Sequence, residues 1–133
     1  MSRALALDFG SARCGAALSD PTGTLATPID PVERPGSDAG LALIAELVRE
    51  REVETVVVGL PLTLAGGDSE QTAEARAFAE RLAEIVAPVP VRLHDERLTT
   101  AQARRVGGSA SEDSRAAAHL LQAWLDAAEP HAR

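Results

Sequence analysis

Three acidic residues far apart in the chain stand where their side chains can meet. Asp8 closes the apolar run "RALALD", Glu96 follows "PVPVRL" within "HDERLTT", and Asp113 stands near the start of "SEDSRAAAHLLQAWLDAA". Alternation along a strand puts Ala4, Ala6 and Asp8 on one face and Leu5 and Leu7 on the other. An ionised carboxylate at the end of a buried strand is costly to desolvate unless a cation or hydrogen-bond donors meet it. In the last segment Ala116, Ala117, Leu120, Leu121, Trp124 and Leu125 form an apolar helical stripe, which Asp113 extends toward a sheet. Two strand ends and a helix start can converge in a small α/β domain. Three carboxylates gathered there repel one another unless divalent cations neutralise them, and hard ions such as Mg²⁺ or Mn²⁺ take such oxygen ligands. Two ions about 3.5–4 Å apart can activate a water and stabilise the leaving oxygen of a phosphodiester.

Taken singly, the acids have simpler readings. Asp8 could accept backbone N–H groups of the glycine-bearing loop "DFGSARCG", and Asp113 could complement the helix macrodipole. Ser109 and Glu112 have the spacing of a capping box, which leaves Asp113 free of that duty.

The elements that must position these acids follow from periodicity. "RALALDFG" reads as a buried strand. "CGAALSD" and "TLATPIDPV" read as two more in hairpin order around "PTG", with Pro28 and Pro31 placing the third at a sheet edge. Leu41, Ile44, Leu47 and Val48 form a helical stripe, and "ETVVVGLP" is a fully buried strand. A second helix is expected from about Asp68, capped there with Gln71 three residues on, with Phe78, Leu82 and Ile85 on one face. "PVPVRL" is the fifth strand, "TTAQARRV" a short helix and "SEDSRAAAHLLQAWLDAA" the last. The order β-β-β-α-β-α-β-α-α implies an α/β fold in which a central five-stranded mixed sheet is flanked by helices. The 133 residues are expected to form a single domain, 1–133.

Composition narrows the function. Hydrophobic residues are 45% of the chain and aromatic ones 2%, with no Tyr, so the core is aliphatic and a stacking surface for single strands is not expected. All 13 basic residues are Arg, and the net charge is -7. That charge disfavours nonspecific attraction to nucleic acid, so binding would need a local basic patch or bound metal ions. The single cysteine, Cys14, cannot form an internal disulfide and reads as buried filler in an apolar strand. No apolar run approaches the roughly 18 residues of a membrane span, and the N-terminus lacks a signal-peptide layout. A cytoplasmic protein is expected.

"ALDFGSARCGAALSD", "VVVGLPLTLAGGDSEQTAEARAFAERL", "HDERLTTAQA" and "DSRAAAHLLQAWLD", in this order and spacing, closely resemble the YqgF/RuvX family over nearly the whole chain. The resemblance implies an RNase H-like fold. It also implies a Holliday-junction-resolvase-like, metal-dependent endonuclease that processes pre-16S rRNA ends or resolves branched DNA. Asp8, Glu96 and Asp113 would be the catalytic, metal-binding acids for Mg²⁺ or Mn²⁺. Arg13 and Arg97 become candidates for phosphate contact, and Thr99 and Thr100 for hydrogen bonds to the backbone of an rRNA precursor or branched DNA. Arg97 can equally pair with Asp95, Arg13 can be a solvated loop residue, and Thr99 suits a helix N-cap. Asp95 would orient Arg97 or hold a water. "GLPL" ends a strand where the wider superfamily often carries an acid, and "AQARRVGGSASE" is shorter and less basic than the segment many members have there. The ribosome is a further expected partner, and the chain itself is expected to be a monomer or homodimer; the competing reading is a binding factor acting on RNA, the ribosome or a polymerase. His94 is expected to be structural, and His119 and His131 lack zinc-ligand partners.

Overall fold

The computed structural model describes residues 3–61, 69–95 and 112–128, apart from the side chains of Glu112, Asp113 and Ala128. Strands β1 (Ala4–Asp8), β2 (Arg13–Ser19), β3 (Ala26–Glu33), β4 (Thr55–Leu60) and β5 (Val91–Asp95) form one five-stranded sheet in the order β3-β2-β1-β4-β5. The first three pair antiparallel, and β4 and β5 continue parallel to β1. The five expected strands are therefore all present, and the Pro-bearing β3 lies at an edge. A proline removes a ladder donor and is tolerated there.

Each face of the sheet has its own core. Leu5, Leu7, Val56 and Val58 face helices α1 (Asp38–Glu50) and α2 (Glu70–Val86), against Leu41, Ile44, Val48, Phe78 and Leu82. Ala4, Ala6, Ala17 and Val57 face helix α3 (Glu112–Ala128), against Ala117, Leu120, Leu121 and Leu125. The small residues on the second face let α3 approach closely. Each fully buried leucine contributes roughly 1.5–3 kcal/mol. Trp124 packs at the margin of this cluster, partly buried.

Two expectations need correction at α2. Its N-cap is Ser69, one residue after the expected Asp68, and the reciprocal pair is Ser69 with Thr72 in place of Asp68 with Gln71. Thr72 wins because its hydroxyl also donates to the Pro61 carbonyl at 2.8 Å, tying the helix start to the end of β4. Ile85 is 47% exposed, and Val86 fills the core at that level. The short helix expected in "TTAQARRV" and the Ser109–Glu112 capping box involve residues outside those described.

The β2–β3 turn is organised by Asp20. Its carboxylate accepts the backbone N–H groups of Thr24 at 2.8 Å and Leu25 at 2.9 Å, as well as the hydroxyls of Thr22 and Thr24. Gly23 supplies the positive φ of 75° that the turn requires. The Leu25 N–H, then the Thr22 hydroxyl, then the Thr24 N–H hold the Asp20 carboxyl well below the usual carboxylate range. A depressed folded pKa contributes stability above the unfolded value of about 3.9, and that contribution is lost as the pH falls below it. Urea midpoints measured between pH 7 and pH 2.5 are therefore expected to fall more steeply for the parent protein than for Asp20→Asn. The variant should be the less stable of the two at pH 7, with the difference closing in acid.

Candidate functional site

The end of β1 is fixed in direction by its neighbours. Leu7 is fully buried on the α1/α2 side. Phe9 stacks on Phe78 on that same side, with ring centroids 4.6 Å apart and planes at 29°. Asp8, between them, is turned to the opposite face, the one covered by α3, and is half-buried. Composition and periodicity did not single out Phe9 for this role. An aromatic next to an acid at a strand end is the signal that could have found it.

Beyond Asp8 the chain reverses sharply. A Cβ on Gly10 would lie 2.7 Å from the Arg13 carbonyl oxygen, so no side chain fits there. β2 returns with Gly15 opposite Asp8 and Ala16 opposite Leu7. Arg13 is exposed and alternates with the buried Cys14, which places it on the Asp8 face.

On the other side, Leu7 stands level with Val58, and Val58 with Leu93. One residue further along these parallel strands, Asp8 is level with Gly59 and His94. The row ends at Asp95, paired with Leu60. Glu96, Arg97, Thr99 and Thr100 lie outside the described residues. His94 is half-buried, and burial lowers its pKa from the ordinary histidine value while the Asp95 charge opposes the shift. The pair His94 and Asp95 thus closes β5 at the same end of the sheet as Asp8.

Helix α3 reaches that end through Ser114, which is 1% exposed. Its Oγ accepts the Ala16 N–H at 3.4 Å and donates to the Ile29 carbonyl at 2.6 Å. Ala16 and Ile29 are register partners on β2 and β3, at the point where the ladder shifts between Cys14 and Ala16. A helix residue is thus inserted into the irregularity of the sheet, and the first turn of α3 is held one residue from the Asp8–Gly15 pair. Asp113 immediately precedes Ser114; its backbone belongs to this turn, and its side chain is outside the described set. Of the expected acids the structure therefore describes Asp8 in full and Asp113 by its place in the helix.

Among the described residues no three His, Cys, Asp or Glu side chains gather to hold a metal ion. An all-carboxylate set built on Asp8 has the donor chemistry that Mg²⁺ or Mn²⁺ requires. Cys14 is buried, as expected. Among the described residues no helix is long and apolar enough to cross a membrane.

Comparison with known proteins gives this geometry a context. The family model described as "RuvX: Holliday junction resolvase" matches residues 2–127. A protein of Mycobacterium leprae (strain TN) named "Putative pre-16S rRNA nuclease" is 49% identical over 133 residues, covering 93% of this chain and 72% of its own length. One of the same name from Mycobacterium tuberculosis (strain ATCC 25177 / H37Ra) is 47% identical, covering 93% and 78%. Among solved structures, RuvC of T. thermophilus in complex with a Holliday junction substrate superposes with a TM-score of 0.63 at 15% identity, over 97% of this chain and 96% of that one. The Fowlpox virus resolvase with Holliday junction DNA gives 0.56 at 10% identity, over 94% and 97%. At these identities the likeness is one of fold, and the fold is RNase H-like, as the sequence resemblance implies.

Proposed function

Because this chain belongs to the RuvX family of Holliday junction resolvases, we propose that it is a metal-dependent endonuclease that hydrolyses phosphodiester bonds in structured nucleic acid. The substrate class is the end of a pre-16S rRNA precursor or a branched DNA. The observation that supports this most is the meeting of β1, β5 and the first turn of α3 at one end of the sheet, with Asp8 turned to the α3 face.

In this reading Asp8, Glu96 and Asp113 hold Mg²⁺ or Mn²⁺. The bound ions supply neutralisation of the acids, activation of a water and charge stabilisation at the leaving oxygen. The remaining work belongs to the chain. Arg13 and Arg97 contact phosphate through charge-assisted forks. Thr99 and Thr100 hydrogen-bond the nucleic-acid backbone, and Asp95 orients Arg97. Phe9 and Ser114 position the acids without touching substrate.

The test is incubation of a labelled four-way DNA junction and of a labelled pre-16S rRNA end with the protein in Mg²⁺, in Mn²⁺ and in chelator. Cleavage in metal that stops in chelator is expected. Binding to either probe without cleavage in any metal would instead establish the competing reading, a binding factor on the same fold, for which the net charge of -7 is the favouring observation. Arg13→Gln should lower kcat/KM about tenfold, the effect of one lost charge-assisted contact of roughly 1.5 kcal/mol. Initial rates below saturation measure it, and a variant indistinguishable from the parent would remove Arg13 from the site.

A further inference from the structure

On the nuclease reading, a chain with a net charge of -7 and a carboxylate at the point of cutting needs cations along the path of a polyanion. One stands on the site face where no motif pointed to it. Arg92, on β5, is exposed. Its register partner Val57 packs in the α3 cluster, and its neighbour Val91 packs on the opposite side, so Arg92 projects on the α3 face. The row through Arg92 and Val57 continues to Ala6, two residues before Asp8 on that face. α3 lies mainly over β1, β2 and β3, leaving this part of the sheet beside it.

Strands are about 4.8 Å apart and rise about 3.3 Å per residue. Arg13 stands one strand from Asp8 and two residues further out, which puts its Cα about 8 Å away. Arg92 stands two strands from Asp8 on the other side and two residues further in, about 12 Å away. The three positions form a diagonal across the sheet with the acid between the two cations. A nucleic-acid strand advances about 3.4 Å per phosphate along a duplex axis. That axial advance is the minimum separation, because successive phosphates also wind around the axis, so the Arg92 branch spans about two phosphates and at most three.

We propose that the substrate strand crosses the α3 face on this diagonal, and that Arg92 binds a backbone phosphate about two or three nucleotides from the one cut at Asp8. This rests on the nuclease reading above and adds to it the direction of the strand and a second anchoring point. Arg92 is a binding residue remote from the reacting atoms. It grips ground state and transition state alike, so its loss acts on KM and leaves kcat nearly unchanged.

The experiment uses the full chain carrying Asp8→Asn, so that the probe stays uncut, and a fluorescein-labelled four-way DNA junction or pre-16S rRNA stem followed by anisotropy in Mg²⁺ at several salt concentrations. Adding Arg92→Gln is expected to raise Kd about 3- to 10-fold and to lower the slope of log K against log salt by about 0.7–0.9, the loss of one phosphate contact. Arg92→Lys should restore the slope. Arg49→Gln, at the end of α1 on the opposite face, should change neither quantity. With Asp8 intact, Arg92→Gln should raise KM 3- to 10-fold with kcat within about twofold. Equal Kd and slope with and without Arg92, or an equal loss from Arg49→Gln, would overturn the inference while the nuclease reading stands. Failure of the parent to bind either probe would overturn both.

Discussion

Asp8→Asn is expected to reduce metal-dependent cleavage by about 1,000-fold or more, a loss of about 4 kcal/mol of transition-state stabilisation. Asn keeps the shape and one oxygen of the carboxylate but removes the charge that draws a hard cation out of water. Asp8 is half-buried at a strand end, between two residues anchored on the far side of the sheet, so the substitution leaves its direction unchanged. The loss should therefore appear in kcat at saturating substrate, while Kd for the uncut probe changes little. Metal itself provides a second readout. A ligand that binds the folded state raises its melting temperature by linkage. Mn²⁺ should stabilise the parent by several degrees and Asp8→Asn by much less. Cleavage by the variant at the parental rate would remove Asp8 from the centre of the reaction, and the proposed site with it.

The sheet was legible because each strand carries its own signal. "RALALD" and "ETVVVGLP" are apolar throughout, as strands covered on both faces must be, and Pro28 and Pro31 exclude "TLATPIDPV" from the middle. Asp8 could be assigned a face from alternation alone, and its half-buried place between Leu7 and Phe9 agrees. Boundaries were less legible. Asp68 and Ser69 are both good caps, and the choice fell to Ser69 through a tertiary bond, Thr72 to the Pro61 carbonyl, that no local pattern contains. On α2 the buried stripe runs through Thr72, Ala75, Ala79, Leu82 and Val86, so a helix of 3.6 residues per turn leaves Ile85 at its margin, and the neighbouring Val89 and Val91 pack with the cluster that takes Val86. Arg92 and Ser114 were illegible for the same reason. Their significance depends on which strand lies beside which, and register across the sheet is a property of the whole fold.

Ser114 carries the second large effect. Its hydroxyl occupies the place where β2 and β3 slip in register, serving the Ala16 amide and the Ile29 carbonyl together. Ser114→Ala leaves the Ala16 amide and the Ile29 carbonyl without that partner, at a position where the side chain is 1% exposed and the bond to the amide is buried. Leaving a buried polar group unsatisfied costs about 1–3 kcal/mol, which for a domain of this size lowers the melting temperature by roughly 5–10 °C. Stability alone would not implicate the site, so the useful comparison is Ser37→Ala. That change removes the cap of α1, whose hydroxyl accepts the Gly40 N–H at 3.0 Å, and should cost about 1 kcal/mol. α1 lies on the face away from Asp8, and cleavage by Ser37→Ala at a temperature where it is fully folded should match the parent. Ser114→Ala under the same conditions should cleave about 10- to 100-fold more slowly, because the turn that carries Asp113 is no longer pinned beside Asp8, and misplacement of about 1 Å is enough for such a loss. Equal rates for the two variants would mean that Ser114 only holds the sheet together and that the start of α3 has no part in the chemistry.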